Sequence, residues 1–195
     1  MFTERARAAS QVFVEPVARG FGRLGFSPDT LTVVGLVLHL PVAWALYAGK
    51  LGTAAILLAL AAAFDALDGT LARLTGRTSS GGAFLDSNLD RIAEIIVFGG
   101  LVAYAARTGH PRDVLLAYAA VTGSLMVSYA RARSEALGLD TKVGVFGRLE
   151  RMVVLVIGLG LGWMTATLAV LAIGTWLTAA MRIADAHGRG RRPPL

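Results

Sequence analysis

The chain has 195 residues, of which 55% are hydrophobic and 16% are charged, and its mean hydropathy is +0.61. This composition is too apolar for an ordinary soluble domain and indicates an integral membrane protein. The absence of cysteine excludes disulfide bonds and thiolate chemistry. The net charge of +6 suits anionic lipid headgroups or an anionic substrate, and we expect no nucleic-acid partner.

The hydrophobic segments predict an all-α polytopic membrane protein, with one domain over residues 1–195 and six transmembrane helices. Before the first span, arginines alternate with apolar side chains over residues 3–24, which is typical of an interfacial amphipathic segment. Asp29 or Thr30 is the expected N-cap of the first span. Residues 186–195 form a basic tail. The spans are predicted at about 31–48, 53–74, 83–106, 114–137, 148–162 and 165–184.

The placement of lysine and arginine predicts the orientation of these helices. If the N-terminus is cytoplasmic, the outer side carries only Lys50, Arg107 and Arg112, while Arg91 lies within the third span. All other basic residues then fall on the cytoplasmic side, as the positive-inside rule requires. We therefore expect a multi-pass protein of the cell membrane with both termini in the cytoplasm.

Four aspartates lie at the predicted cytoplasmic ends of the second and third spans. Asp65 and Asp68 are three residues apart and Asp86 and Asp90 four apart, so each pair shares one helix face. An acidic side chain costs roughly 2.5–3.5 kcal/mol at the centre of a bilayer, and a divalent cation would offset that cost. Each aspartate alone is explained as well by a neighbouring arginine, or by a cation or proton path in a transporter.

The spacing of this stretch resembles the signature of the CDP-alcohol phosphotransferase family. Its fixed positions are Asp65, Asp68, Gly69, Ala72, Arg73, Gly82, Asp86 and Asp90. The resemblance implies an enzyme that displaces CMP from a CDP-linked lipid while an alcohol attacks the lipid-side phosphorus. It implies that Asp65, Asp68, Asp86 and Asp90 bind two Mg²⁺ ions, or Mn²⁺ in their place, and that Asp90 is also the catalytic base.

Further residues would hold the CDP-lipid. Gly69 would allow a close backbone approach of the nucleotide, and Arg73 would donate to a phosphate. The same resemblance places Asp29, Thr30, Leu31, Thr32 and Ser79 on the CDP moiety.

A second group of polar residues indicates where the alcohol binds. Ser128 and Arg131 are three residues apart, as are Arg148 and Arg151, and Arg182 lies at the cytoplasmic end of the last span. Cationic helix ends at one membrane face suit a phosphate carried by the acceptor. Each arginine alone is better explained by cytoplasmic retention or by contact with lipid headgroups.

The stretches 128–135 and 144–151 resemble those of the phosphatidylinositol-phosphate synthases within this family. The resemblance implies that Ser128, Arg131, Arg151 and Arg182 bind the phosphate of the acceptor. Two positions depart from the subfamily pattern: Arg131 replaces a lysine, and Gly147 replaces a glutamate. Arginine keeps the charge of lysine but is planar and larger.

These features predict transfer of a phosphatidyl group from CDP-diacylglycerol to 1D-myo-inositol 3-phosphate (L-myo-inositol 1-phosphate), giving phosphatidylinositol phosphate and CMP at the cytoplasmic face. Another acceptor, such as glycerol 3-phosphate or an unphosphorylated polyol, and an archaeal ether-lipid donor are the alternatives. A cation or proton transporter is the alternative of a different class. The expected partners are the two substrates and the lipid bilayer, and the resemblance implies a homodimer.

Overall fold

The structure, a computed structural model, describes residues 14–139, 141 and 143–190. Residues 3–13 of the predicted amphipathic segment and residues 191–195 of the predicted tail lie outside this part. Every regular element in the described part is an α-helix, as the hydrophobic segments predict. The helices are α1 at residues 14–23, α2 at Pro28–Tyr47, α3 at Leu51–Thr75, α4 at Ser80–Arg107, α5 at Pro111–Ala136, α6 at Arg148–Gly160 and α7 at Met164–Gly190.

The start of α2 is fixed by a side-chain cap. The Ser27 hydroxyl accepts a hydrogen bond from the Thr30 backbone amide at 3.1 Å, and Pro28 occupies the first turn. Proline is favoured at the first helical position, where its missing N–H is not needed. The N-cap is therefore Ser27, and the prediction of Asp29 or Thr30 is wrong.

A short turn joins α3 to α4 within the aspartate stretch. Gly76 follows α3 in the left-handed conformation, with φ of 66°, which glycine adopts without steric cost. α4 begins after Ser79, whose hydroxyl accepts from the Gly82 amide at 3.0 Å. Both caps hold the two aspartate-bearing helix ends in a fixed relation.

Helices α2–α7 form a closed ring in which each helix packs against two neighbours. The order around the ring is α3, α2, α4, α5, α7, α6 and back to α3. Close packing depends on small residues, since a Cβ on Gly100 of α4 would lie 2.7 Å from the Ala43 carbonyl oxygen of α2. Short connections make the helices alternate in direction, so the end of α3 and the start of α4 meet at one end of the ring.

The six predicted transmembrane spans correspond to α2–α7, but the number six is not confirmed. By length and composition, α2, α3, α5 and α7 are long and apolar enough to cross a membrane. α4 has 28 residues but carries several charged side chains in its first half. α6 has 13 residues, or about 20 Å, which is shorter than the roughly 30 Å of a hydrocarbon core.

α6 is short because the chain before it folds into the end of the ring. The Phe146 amide donates to the Thr178 hydroxyl at 3.1 Å, and Arg182 Nε donates to the Val143 carbonyl at 3.0 Å. These contacts with α7 lead into Arg148, the first residue of α6, whose side chain reaches Asp65, about 15 Å from the end of α3.

α7 continues to Gly190, beyond the predicted end of the span at about residue 184. An ion pair between Arg189 Nε and Asp185 Oδ2 at 2.9 Å, four residues apart, stabilises the added turn. The first residues assigned to the basic tail are therefore helical.

α1 covers the same end of the ring. Ala18 is fully buried with Leu31, Leu67 and Leu71 of α2 and α3. The Phe21 ring meets the Phe64 ring edge to face, with centroids 5.8 Å apart. The described part of the predicted amphipathic segment is thus a helix, and its position at a membrane interface stays a prediction.

Candidate active site

Polar side chains from all six ring helices converge at the end where α3 finishes and α4 begins. This recessed end contains most of the residues that the sequence singled out. The converging side chains are Thr32 on α2, Asp65 and Asp68 on α3, Asp86, Asp90 and Glu94 on α4, Ser124 and Ser128 on α5, Arg148 and Arg151 on α6, and Arg182 on α7.

The structure brings the four aspartates together. Asp86 lies within electrostatic range of Asp65, Asp68 and Asp90. Asp68 is buried, and its Oδ2 accepts a hydrogen bond from Thr32 Oγ1 at 2.7 Å. The helix spacing thus located one acidic cluster correctly, built from two helices that are not direct neighbours in the ring.

An arginine lies between two of these aspartates. Arg148 Nη2 is 2.6 Å from Asp65 Oδ2 and 2.6 Å from Asp90 Oδ1. Asp90 Oδ2 is also 3.4 Å from Arg91 Nη1. Sequence reasoning placed Arg148 only at a cationic helix end and missed this bridge. No local signal points to it, because Arg148 and Asp65 are 83 residues apart and meet only through ring closure.

The chemistry of the cluster suits a divalent cation. Carboxylate oxygens are the hard ligands that Mg²⁺ and Mn²⁺ prefer. The guanidinium of Arg148 shows that a positive charge is accommodated between Asp65 and Asp90. Within the described residues, no three acidic, histidine or cysteine side chains are arranged to hold one ion. The carboxylates are thus of the chemical kind that a divalent metal prefers, while Arg148 lies between Asp65 and Asp90 and the described side chains do not surround one ion.

A cavity of about 220 Å³ opens between α2, α3 and α4. Thr30 and Leu31, both predicted to contact the CDP-lipid, do not line it, and Leu31 is buried against α1 and α3. Arg77 and Thr78 line it although sequence reasoning did not select them. The predicted site residues in its wall are Asp29, Thr32, Asp68, Gly69, Arg73, Ser79 and Asp86.

α2 approaches the acidic cluster through a glycine. A Cβ on Gly35 would lie 2.8 Å from Asp65 Oδ1, so no larger residue fits without movement. One turn later, His39 Nδ1 donates to the Gly35 carbonyl at 2.8 Å, since a carbonyl oxygen can only accept. The first contact sets how closely α2 approaches α3, and the second is a bond within α2.

On the far side of Asp90, α4 carries an acidic residue that sequence reasoning missed. Glu94 accepts from Arg151 Nε at 2.9 Å and from Arg151 Nη2 at 3.3 Å, and the Ser124 hydroxyl is 2.5 Å from its Oε1. The sequence spacing could have indicated it. Glu94 follows Asp90 by four residues, as Asp90 follows Asp86, so all three lie on the same face of α4.

The buried arginine of α7 also serves the fold. Arg182 donates from Nε to the Val143 carbonyl at 3.0 Å and from Nη1 to the Val127 carbonyl at 2.9 Å. It lies within electrostatic range of Arg131 and Arg151. The three arginines predicted to hold the acceptor phosphate are therefore brought to one place.

The two predicted acceptor residues of α5 differ in exposure. Ser128 is half-buried, and its hydroxyl accepts from Arg91 Nη2 at 3.2 Å. Arg131 is exposed and pairs with Glu135 at 2.7 Å, one turn along the helix. Arg91, predicted as a residue within a span, thus touches both Ser128 and Asp90.

A second, smaller cavity of about 20 Å³ lies beside Asp90, enough for about one water molecule. Its polar walls are His39, Asp90, Glu94, Arg148 and Arg151. Asp86 therefore borders the larger cavity and Asp90 the smaller one, although both lie on the same face of α4. The acidic cluster thus lies between an open cavity and a small one lined by two arginines and two carboxylates.

A ring of apolar helices with carboxylates and arginines recessed at one end indicates a membrane protein with a polar site. The family model described as CDP-alcohol phosphatidyltransferase matches residues 26–183. This range includes the aspartate stretch and all the arginines that were predicted to lie in the site. The chain belongs to this family, and it is an enzyme. The family resemblance predicted from the aspartate spacing is confirmed, and the transporter alternative is not retained.

Relatives with named activities cover almost the whole chain. The archaetidylinositol phosphate synthase of Pyrococcus horikoshii is 34% identical over 90% of this chain and 92% of its own length. The phosphatidylinositol phosphate synthase of Corynebacterium glutamicum is 38% identical over 89% of this chain and 80% of its own length.

Solved structures share the fold. The phosphatidylinositol phosphate synthase of Mycobacterium tuberculosis with CDP-DAG bound superposes with a TM-score of 0.86 at 29% identity, covering 93% of this chain and 98% of that one. The same protein in complex with manganese and citrate gives a TM-score of 0.85 at 30% identity, covering 93% of each chain.

Proposed function

We propose that this enzyme transfers a phosphatidyl group from CDP-diacylglycerol to 1D-myo-inositol 3-phosphate, giving phosphatidylinositol phosphate and CMP. One observation carries the proposal: a single face of α4 presents Asp86 to the larger cavity and Asp90 to the smaller one beside Arg151. A donor diphosphate and a phosphate-bearing alcohol would thus reach the acidic cluster from different sides. The names of the relatives, which specify inositol phosphate products, support this acceptor.

The larger cavity is the proposed site of the CDP moiety. Gly69 gives the nucleotide a surface without a side chain, and Arg73, which lies on the same wall, supplies a charged donor for a phosphate. Asp29, Thr32 and Ser79 line the remaining wall. Thr30 and Leu31 belong to this site by resemblance.

Asp65, Asp68, Asp86 and Asp90 are the proposed ligands of two Mg²⁺ ions, with Mn²⁺ as a possible substitute. Bound divalent ions would neutralise charge on the diphosphate oxygens as CMP departs. Thr32 holds Asp68 in place through its hydrogen bond. The manganese present in the M. tuberculosis structure supports a divalent metal at this site.

Asp90 is the proposed general base. It would accept the proton of the attacking hydroxyl while that oxygen bonds to the lipid-side phosphorus, and the bond from this phosphorus to the CMP oxygen breaks. CMP leaves with the electron pair of that bond. Ser128, Arg131, Arg151 and Arg182 would hold the phosphate of the acceptor, which orients its hydroxyl toward Asp90.

The test is the release of CMP from CDP-diacylglycerol with Mg²⁺ by the purified protein in lipid. Inositol phosphate should support release, and free inositol or glycerol 3-phosphate should not. Asp90→Asn should lower the rate at least about 100-fold, the usual contribution of a general base. An ether-lipid CDP donor in a parallel assay shows which lipid class is preferred.

Asp113→Asn is the matched control, because Asp113 is a buried carboxylate bonded to Thr165 at the opposite end of the ring. It should keep the wild-type rate. Use of free inositol or glycerol 3-phosphate at an equal or higher rate would contradict the proposed acceptor. Full activity of Asp90→Asn would contradict the proposed base.

A further inference from the structure

Glu94 is a charged side chain near the centre of the ring to which the proposed chemistry gives no part. Its side chain is 13% exposed, and that of its partner Arg151 is 4% exposed. The two face each other as a fork, with Arg151 Nε and Nη2 on the two carboxylate oxygens. Such a desolvated pair is held in one geometry far more firmly than a surface ion pair.

The remaining donors of Arg151 can be counted. A guanidinium has five N–H groups. Glu94 receives two of them, and the Phe146 carbonyl receives one from Nη1 at 3.2 Å. Among the described residues, one N–H on Nη1 and one on Nη2 have no hydrogen-bond partner. Two donors on neighbouring nitrogens match two oxygens of a phosphate.

Glu94 is itself anchored from a third helix. The Ser124 hydroxyl on α5 lies 2.5 Å from Glu94 Oε1, and Ser124 is fully buried. Glu94 also follows Asp90 by one turn of α4, a rise of about 6 Å, and both border the smaller cavity. One rigid helix therefore carries the proposed base and the carboxylate that orients Arg151.

We infer that Glu94 is a positioning residue, which turns the two free N–H groups of Arg151 toward the phosphate of the acceptor and sets their distance from Asp90. This inference rests on the proposed function, in which Arg151 binds that phosphate. Glu94 does not touch the substrate, and its effect on the reaction passes through Arg151.

Steady-state kinetics of Glu94→Gln provide the test, because glutamine keeps the shape but loses the charge that holds the fork. The kcat/KM for inositol phosphate should fall roughly 10–100-fold. The KM for CDP-diacylglycerol should stay within about twofold, since neither Glu94 nor Arg151 lines the larger cavity proposed for the donor. Ser124→Ala, a milder change that removes the anchor of Glu94, should act in the same direction with a smaller effect.

Glu15→Gln is the control, because it breaks an exposed glutamate–arginine pair with Arg19 on α1, and neither residue lines either cavity. It should leave the kcat/KM for both substrates unchanged. A double-mutant cycle completes the test: in an Arg151→Gln background, Glu94→Gln should lower kcat/KM for the acceptor no further.

The inference would be overturned if Glu94→Gln lowered kcat/KM equally for both substrates, or if the losses in kcat/KM were additive in the double mutant. The proposed function would still stand. A wild-type enzyme that uses no inositol phosphate would instead overturn the proposed function, and the inference with it. Should Glu94→Gln fail to fold, as shown by loss of its thermal transition, the Ser124→Ala result decides by the same criteria.

Discussion

Arg148 shows how single residues balance charge at this site. Its guanidinium contacts Asp65 and Asp90 from two different helices, each at 2.6 Å. Without a positive charge, the two partly buried carboxylates would repel each other and lack a partner. Arg148 therefore supplies the same electrostatic compensation that the proposed metal ions would supply.

We expect Arg148→Gln to destabilise the protein in EDTA more than in Mg²⁺. The loss in EDTA should be about 1–2 kcal/mol for this partly exposed pair, which lowers Tm by about 3–6 °C. Added Mg²⁺ should raise Tm more in the variant than in the wild type, because a cation replaces the lost charge. Thermal unfolding with and without Mg²⁺ measures both effects.

Arg107→Gln is the comparison for this prediction. Arg107 donates to the Tyr47 carbonyl at 2.9 Å at the other end of the ring, far from the aspartates. Its variant should show the same Mg²⁺ response as the wild type. An equal response in Arg148→Gln would mean that Arg148 does not compensate the aspartates.

At the level of helices, the packing of α2 against α3 sets the shape of the acidic cluster. Gly35 touches Asp65, and Thr32, one turn earlier on α2, holds Asp68. One face of α2 therefore supports both aspartates of α3. The support requires the absence of a side chain at residue 35.

Gly35→Ala should lower CMP release by roughly tenfold or more, because its methyl group would lie 2.8 Å from Asp65 Oδ1 and displace Asp65 or α2. Gly52→Ala is the control, since Gly52 is a helical residue of α3 with no other atoms near its Cβ position. It should keep the activity and gain slightly in helix stability. Wild-type activity in Gly35→Ala would show that the site tolerates a shift of α2.

For the whole molecule, ring closure and the fold of the segment before α6 decide how deep the site lies. The side chain of Arg148, the first residue of α6, contacts Asp65 about 15 Å from the end of α3, and α6 spans only about 20 Å. The site is thus recessed from one end of the bundle, where α2 begins and α7 finishes. We propose that this end faces the cytoplasm, in agreement with the positive-inside rule.

Single cysteines test the orientation and the six spans, because the chain has no cysteine of its own. A membrane-impermeant maleimide on intact cells should label Thr108→Cys, in the α4–α5 connection. It should label His187→Cys, near the end of α7, only after permeabilisation. Leu161→Cys, after α6, should behave like Thr108→Cys if α6 completes a crossing.

The reverse labelling pattern would place the site outside the cell and contradict the proposed orientation. A Leu161→Cys variant that reacts from neither side would show that α6 ends within the bilayer. The homodimer implied by the family resemblance stays a prediction, and the mass of the protein in detergent would test it.

Local features of the chain could be predicted from the sequence without a structure. Apolar runs predicted the helices α2–α7, because burying a helical backbone in lipid requires a long apolar segment. The spacing of Asp65, Asp68, Asp86 and Asp90 predicted an acidic cluster, because residues three or four apart share a helix face. The family followed from the same spacing and is confirmed.

The sequence by itself therefore determined the helices, the acidic faces and the family, since each depends on residues close together in the chain. The tertiary structure decided that Arg148 bridges Asp65 and Asp90 and that Glu94 pairs with Arg151. Those contacts join residues as much as 83 positions apart. Their geometry exists only once the ring closes, because no spacing along one helix specifies which face of a distant helix will meet it.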